Sequence, residues 1–196
     1  MFEQSQRFFN EFIQTFAKDS MYRKKAVKTY PNNTEFTHFI IDRINGMIEK
    51  SGNIAQNEYF RIDSMGYRSR YKELEKANGL KPHLWDMEIA VEHENDDTDW
   101  LDEVIKLAHI CCPLRVVIGY VPADQRNEDP TLLDYAAKAL KRLKCADNVT
   151  KGEFMIILGN SHTNGEAEKY FHYQAYVLNA ETFTFEKLID TAREQP

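Results

Sequence analysis

Glu92 and Glu94 stand two residues apart in Ile89-Ala90-Val91-Glu92-His93-Glu94, a stretch that alternates apolar and polar residues. In an extended strand such a pair leaves one face of the sheet with its Cα atoms about 6.5–7 Å apart. Asp63 closes a second alternating stretch, Glu58-Tyr59-Phe60-Arg61-Ile62-Asp63. Three carboxylates converging on one face repel one another and raise each other's pKa unless a hard divalent cation lies among them. Mg²⁺ (or Mn²⁺) suits such oxygen donors, and in that setting it polarises a phosphate oxygen and activates water. The chemistry expected of Asp63, Glu92 and Glu94 is therefore phosphodiester hydrolysis. Glu88, on the same face by alternation, is a weaker additional ligand.

An acid at the end of one strand (Arg61-Ile62-Asp63-Ser64), followed by a strand ending acid-x-residue (Ile89-Ala90-Val91-Glu92-His93-Glu94), resembles the PD-(D/E)XK nuclease signature. The resemblance covers roughly residues 34–120, including a following helix and buried strand that match that family's αβββαβ core. It implies that Asp63 and Glu92 ligate magnesium, with the His93 carbonyl as a further ligand. Glu94 occupies the family's lysine position, as in the ExE variant of some restriction enzymes, where the second glutamate acts as general base or second metal ligand. Ile62 stands where a proline often precedes the first acid. The implied substrate is nucleic acid, double-stranded DNA by analogy, cut by a homodimer whose two sites reach both strands. The alternative is a catalytically inactive relative that serves as a nucleic-acid- or protein-binding module in a defence or mobile-element system.

Arg68, Arg70 and Lys72 follow the first acid and are candidate phosphate contacts, within a connection that also reads as a surface loop. Lys106 lies opposite its helix's apolar stripe and four residues after Asp102, a spacing that favours a surface ion pair over a displaced catalytic lysine. His93 alternates with the two glutamates and so shares the layer of Ile89 and Val91, where a hydrogen-bonded core histidine is expected. His109 with Cys111 or Cys112 lacks the third group and the elbow that nucleophilic catalysis needs.

These residues need a sheet with helices on both faces. Phe8, Phe9, Phe12, Ile13 and Phe16 predict an amphipathic helix over about 4–18, and Phe36, Ile40, Ile44, Met47 and Ile48 another over 34–50, stopped at Ser51-Gly52. Strands are expected at 58–63, 84–94, 114–120, 154–158, 170–178 and 182–187. Helices are expected from Thr98 or Asp99 to 110 and from Asp129-Pro130 to 144. The sum is an α/β protein with a mixed central sheet: one domain, residues 1–33 forming a helical extension and 34–196 a nuclease-like core with extra C-terminal strands.

Composition sets the outer limits. A chain of 196 residues buries one continuous core, and no apolar run approaches the roughly 18 residues that span a bilayer. The start lacks the pattern of a secretory signal and three cysteines do not make a disulfide framework, so a reducing, cytoplasmic setting is expected. A net charge of −6 argues against binding nucleic acid through bulk charge, so any such contact must come from local basic groups.

Overall fold

The computed structural model describes residues 2–68, 86–96, 99–122, 130–161 and 171–188. Three helices come first: α1 (Glu3–Gln14), α2 (Arg23–Thr29) and α3 (Asn33–Lys50). The Asn32 side chain caps α3 by accepting the Glu35 N–H at 3.1 Å, and Gly52, at φ 85°, takes the left-handed turn that ends it. A hairpin follows, β1 (Ile54–Tyr59) and β2 (Ile62–Tyr67), then β3 (Met87–His93), α4 (Trp100–Ala108) and β4 (Leu114–Val121). The chain continues through α5 (Pro130–Arg142), the short α6 (Ala146–Val149), β5 (Glu153–Asn160), β6 (Gln174–Asn179) and β7 (Thr184–Lys187).

The seven strands among the described residues form one sheet in sequence order. The pairs β3/β4 and β4/β5 are parallel and the other four antiparallel, which makes the sheet mixed. Each parallel pair needs a crossover, and α4 and α5 supply them. β4 lies mid-sheet with all eight residues buried, which is why its sequence reads as a nearly unbroken apolar run.

Strand alternation divides the core in two. Ile89, Val91, Val116, Ile118, Met155 and Ile157 face α1 and α3, whose Phe9, Phe12, Phe36 and Ile40 are almost wholly buried. Ala90, Val117, Phe154 and Ile156 face the other way, against Trp100, Val104 and Leu107 of α4 and Ala136 and Leu140 of α5. The first helix, expected as an extension, thus delivers three phenylalanines to the same core as α3. Arg115, the one large buried cation among the described residues, directs its guanidinium to the ends of helices, donating to Asn148 O and Val149 O at 3.0 Å and to Ile110 O at 3.3 Å.

The strand expected at 58–63 is not one strand. Tyr59 pairs with Ile62, and the chain reverses between them through Phe60 and Arg61, both at positive φ (54° and 60°). Two positive-φ central residues are the signature of a type I′ hairpin turn, normally built from Asn and Gly. Phe-Arg carries no such signal, so the alternation ran straight through the turn and hid β1. Helices α2 and α6 were also not anticipated; neither exceeds two turns.

Candidate active site

Asp63 and Glu92 come together on the face of the sheet covered by α4. Ser64 pairs with Val91 and Met65 with Ala90, so the residue before Ser64 and the residue after Val91 are neighbours at the same end of β2/β3. The Asp63 carboxylate completes the juxtaposition by accepting the His93 N–H through Oδ2 at 2.8 Å. Glu92 is 1% exposed.

Lys106 of α4 reaches this pair. Its Nζ lies 2.9 Å from Glu92 Oε1, in an ion pair whose angles fall short of hydrogen-bond geometry. The same ammonium donates to Arg61 O at 3.0 Å and contacts Glu103, one turn earlier on α4. The expected pairing with Asp102 is replaced by these contacts. At about 100° per residue, Glu103 and Lys106 fall on one flank of the Trp100-Val104-Leu107 stripe, and that flank turns toward β3. α4 can lie close because Gly119 sits beneath Trp100, where a Cβ would come within 2.6 Å of the indole.

Electrostatically the site is short of positive charge. Burial pushes the Glu92 carboxyl up to about 8, more than the nearby Lys106 ammonium offsets, and Asp63 and Glu103 add to the rise. Asp63 is also raised by burial, although the His93 N–H and Lys106 pull the other way. Burial alone would lower Lys106, but Glu103 and Glu92 outweigh it and hold the lysine above its ordinary value. Lys106 thus contacts both Glu103 and Glu92, and burial makes Glu92 harder to ionise than an ordinary glutamate. Two hard-oxygen donors on adjacent strands, both held above their ordinary values by burial in spite of Lys106, suit a divalent ion.

The remaining expected site residues lie elsewhere. Pairing of β3 with β4 ends at His93–Ile118, so Glu94 is past the strand and its alternation lapses. Its Oε1 accepts the Asp96 N–H at 2.8 Å, and it lines a recess with Asn33, Thr34, Thr37 and Ser161 that Asp63 does not line. Among the described residues no three His, Cys, Asp or Glu side chains gather as a metal cluster. Glu88 is displaced by a register shift between Gly66 and Tyr67, which pair with Ile89 and Met87 and leave Glu88 as the extra residue. It pairs at 3.6 Å with Arg68, which also donates to Asn53 Oδ1 at 3.3 Å. Arg68 is five residues beyond Asp63, about 17 Å along β2. Arg70 and Lys72 lie outside the described residues.

The expectation of a hydrogen-bonded core histidine holds at position 93. His93 is buried on the α3 face, its Nε2 2.9 Å from the Tyr120 hydroxyl, and burial lowers it to about 3, so it stays neutral. His109 meets neither Cys111 nor Cys112; its Nδ1 is 3.4 Å from Cys145 Sγ, while burial pushes the Cys112 thiol up to about 12. Compared with known proteins, the chain matches no family model, no curated protein and no solved structure. Among the described residues, no helix is long and apolar enough to cross a membrane.

Proposed function

We propose that the chain is a metal-dependent nuclease whose working groups are Asp63, Glu92 and Lys106. The observation that carries this reading is the meeting of a buried acid, a second acid and a lysine from three consecutive elements at one end of the sheet. The element order α3-β1-β2-β3-α4-β4, with Asp63 on β2 and Glu92 on β3, supports a restriction-endonuclease-like core. In this reading Lys106 takes the part expected of Glu94. The lysine is supplied from the helix instead of from two residues along the strand.

Asp63 and Glu92 would hold Mg²⁺ or Mn²⁺, which supplies Lewis-acid polarisation of the phosphate and a lowered pKa for water. Displacing the Glu92 proton frees that carboxylate as a ligand, and the His93 N–H keeps Asp63 oriented throughout. The Lys106 ammonium donates hydrogen bonds to charge developing on the attacked phosphate, the role a carboxylate at position 94 would not fill. Duplex DNA as substrate and a symmetric pair of sites follow the resemblance. The test is cleavage of plasmid and single-stranded DNA with Mg²⁺, Mn²⁺ or EDTA by wild type, Glu92→Ala and Lys106→Met.

A second reading is favoured by the closure of Lys106 onto Glu92, Glu103 and Arg61 O, which also describes a purely structural ion network. It makes the chain a non-catalytic nucleic-acid- or protein-binding module. Calorimetry distinguishes the two, because only the nuclease reading requires divalent-ion binding that is lost in Asp63→Asn.

A further inference from the structure

Phe60 and Arg61 form the tip of the β1–β2 hairpin, three and two residues before Asp63. Phe60 is 66% exposed, its ring held edge-on against Tyr59 with centroids 4.5 Å apart. Arg61 is exposed, and among the described residues no carboxylate pairs with its guanidinium. A lone exposed phenylalanine is ordinary on a protein surface. Three features set this one apart. Phe60 and Arg61 both hold a backbone conformation that side chains with a Cβ resist, and Glu58 nearby shares it (φ 53°). Asn-Gly would make the same turn without strain, so folding alone does not select Phe-Arg. Finally, the Arg61 carbonyl accepts from Lys106 Nζ, the same ammonium that contacts Glu92, so the tip is tied to the carboxylate site.

We infer that this tip is a nucleobase-binding element: Phe60 stacks on one unpaired base of the substrate while Arg61 contacts an adjacent phosphate. The inference rests on the nuclease reading and deepens it, naming unpaired or locally opened nucleic acid as the preferred substrate. An exposed aromatic beside a guanidinium that no described carboxylate pairs is the combination that grips single strands, by base stacking and phosphate contact. The short reach from Arg61 O to the Glu92 carboxylate places the gripped nucleotide next to the bond that would be cut.

The test compares binding of a duplex bearing one unpaired base with binding of the fully paired duplex, in EDTA so that neither is cut, beside cleavage of both in Mg²⁺. Wild type is expected to prefer the unpaired base. Phe60→Ala should lose roughly 5- to 150-fold in affinity for it and most of the preference. Phe60→Trp should keep the preference, with its new indole quenched on binding. Phe60→Asn/Arg61→Gly, which relieves the turn and retains the backbone carbonyl at 61, should lose the preference too, even if Phe60→Ala folds poorly. Wild-type cleavage with no preference, or with a preference that both Phe60→Ala and the double variant keep, overturns the inference and leaves the nuclease reading standing. A wild type that neither binds nor cuts overturns both.

Discussion

Glu92 is the residue on which the chemistry turns, and its burial gives it a measurable signature. Its folded value of about 8 lies well above the ordinary 4.5. Between those values an unfolded chain has lost the proton that the native protein keeps, so native binding exceeds unfolded binding and stability falls as pH rises. The loss is complete above about 8. Glu92→Gln should therefore flatten the fall and be more stable than wild type at pH 8–9, as read by urea unfolding at a series of pH values. Because a proton competes with the cation for the same carboxylate, metal affinity should climb over the same window. Lys106→Met should lower the cleavage rate by about 100-fold or more with little change in substrate affinity, since a donor to developing charge acts mainly in the transition state. Glu94→Ala, which removes a carboxylate spent on the Asp96 N–H, should cleave as wild type does, and single-turnover assays separate these cases.

The elements explain why the site forms, and how far the sequence revealed it. Alternation in Met87–His93 correctly separated Glu92 from His93, because the strand persists through both residues. The same rule misplaced Glu94 and Glu88, where the strand ends and where the register slips; neither event leaves a mark in the pattern. The i,i+4 spacing offers Lys106 a local partner in Asp102, whereas its contacts are Glu103 on the same helix together with Glu92 and Arg61 O from other elements. Tertiary packing decided that contest through Gly119 beneath Trp100. Gly119→Ala should force α4 outward, costing about 1–3 kcal/mol by overpacking and lowering cleavage by displacing Lys106; thermal melts and activity should fall together. The hairpin turn makes the opposite prediction. Phe60→Asn/Arg61→Gly replaces two left-handed residues that each cost roughly 1–2 kcal/mol, so thermal stability should rise in that variant.

At the scale of the whole molecule, the sheet holds its two acids at one end while separate apolar layers seal each face. The fold class and most helices and strands were legible because long apolar periodicities record which face is buried. The N-terminal helix was harder to assign, since its amphipathic stripe says that it is covered but not by what. A cation bound by Asp63 and Glu92 in the native state alone would stabilise the protein by about 2.7 kcal/mol at 100 times its dissociation constant. For a chain of this length that is roughly 5–10 °C in melting temperature, absent in Asp63→Asn. The most direct measurement is cleavage of plasmid and single-stranded DNA by wild type, Glu92→Ala and Lys106→Met, purified identically, in Mg²⁺, Mn²⁺ or EDTA. The account predicts divalent-dependent cutting by wild type that both substitutions remove; metal-dependent cutting that survives in Glu92→Ala would contradict it.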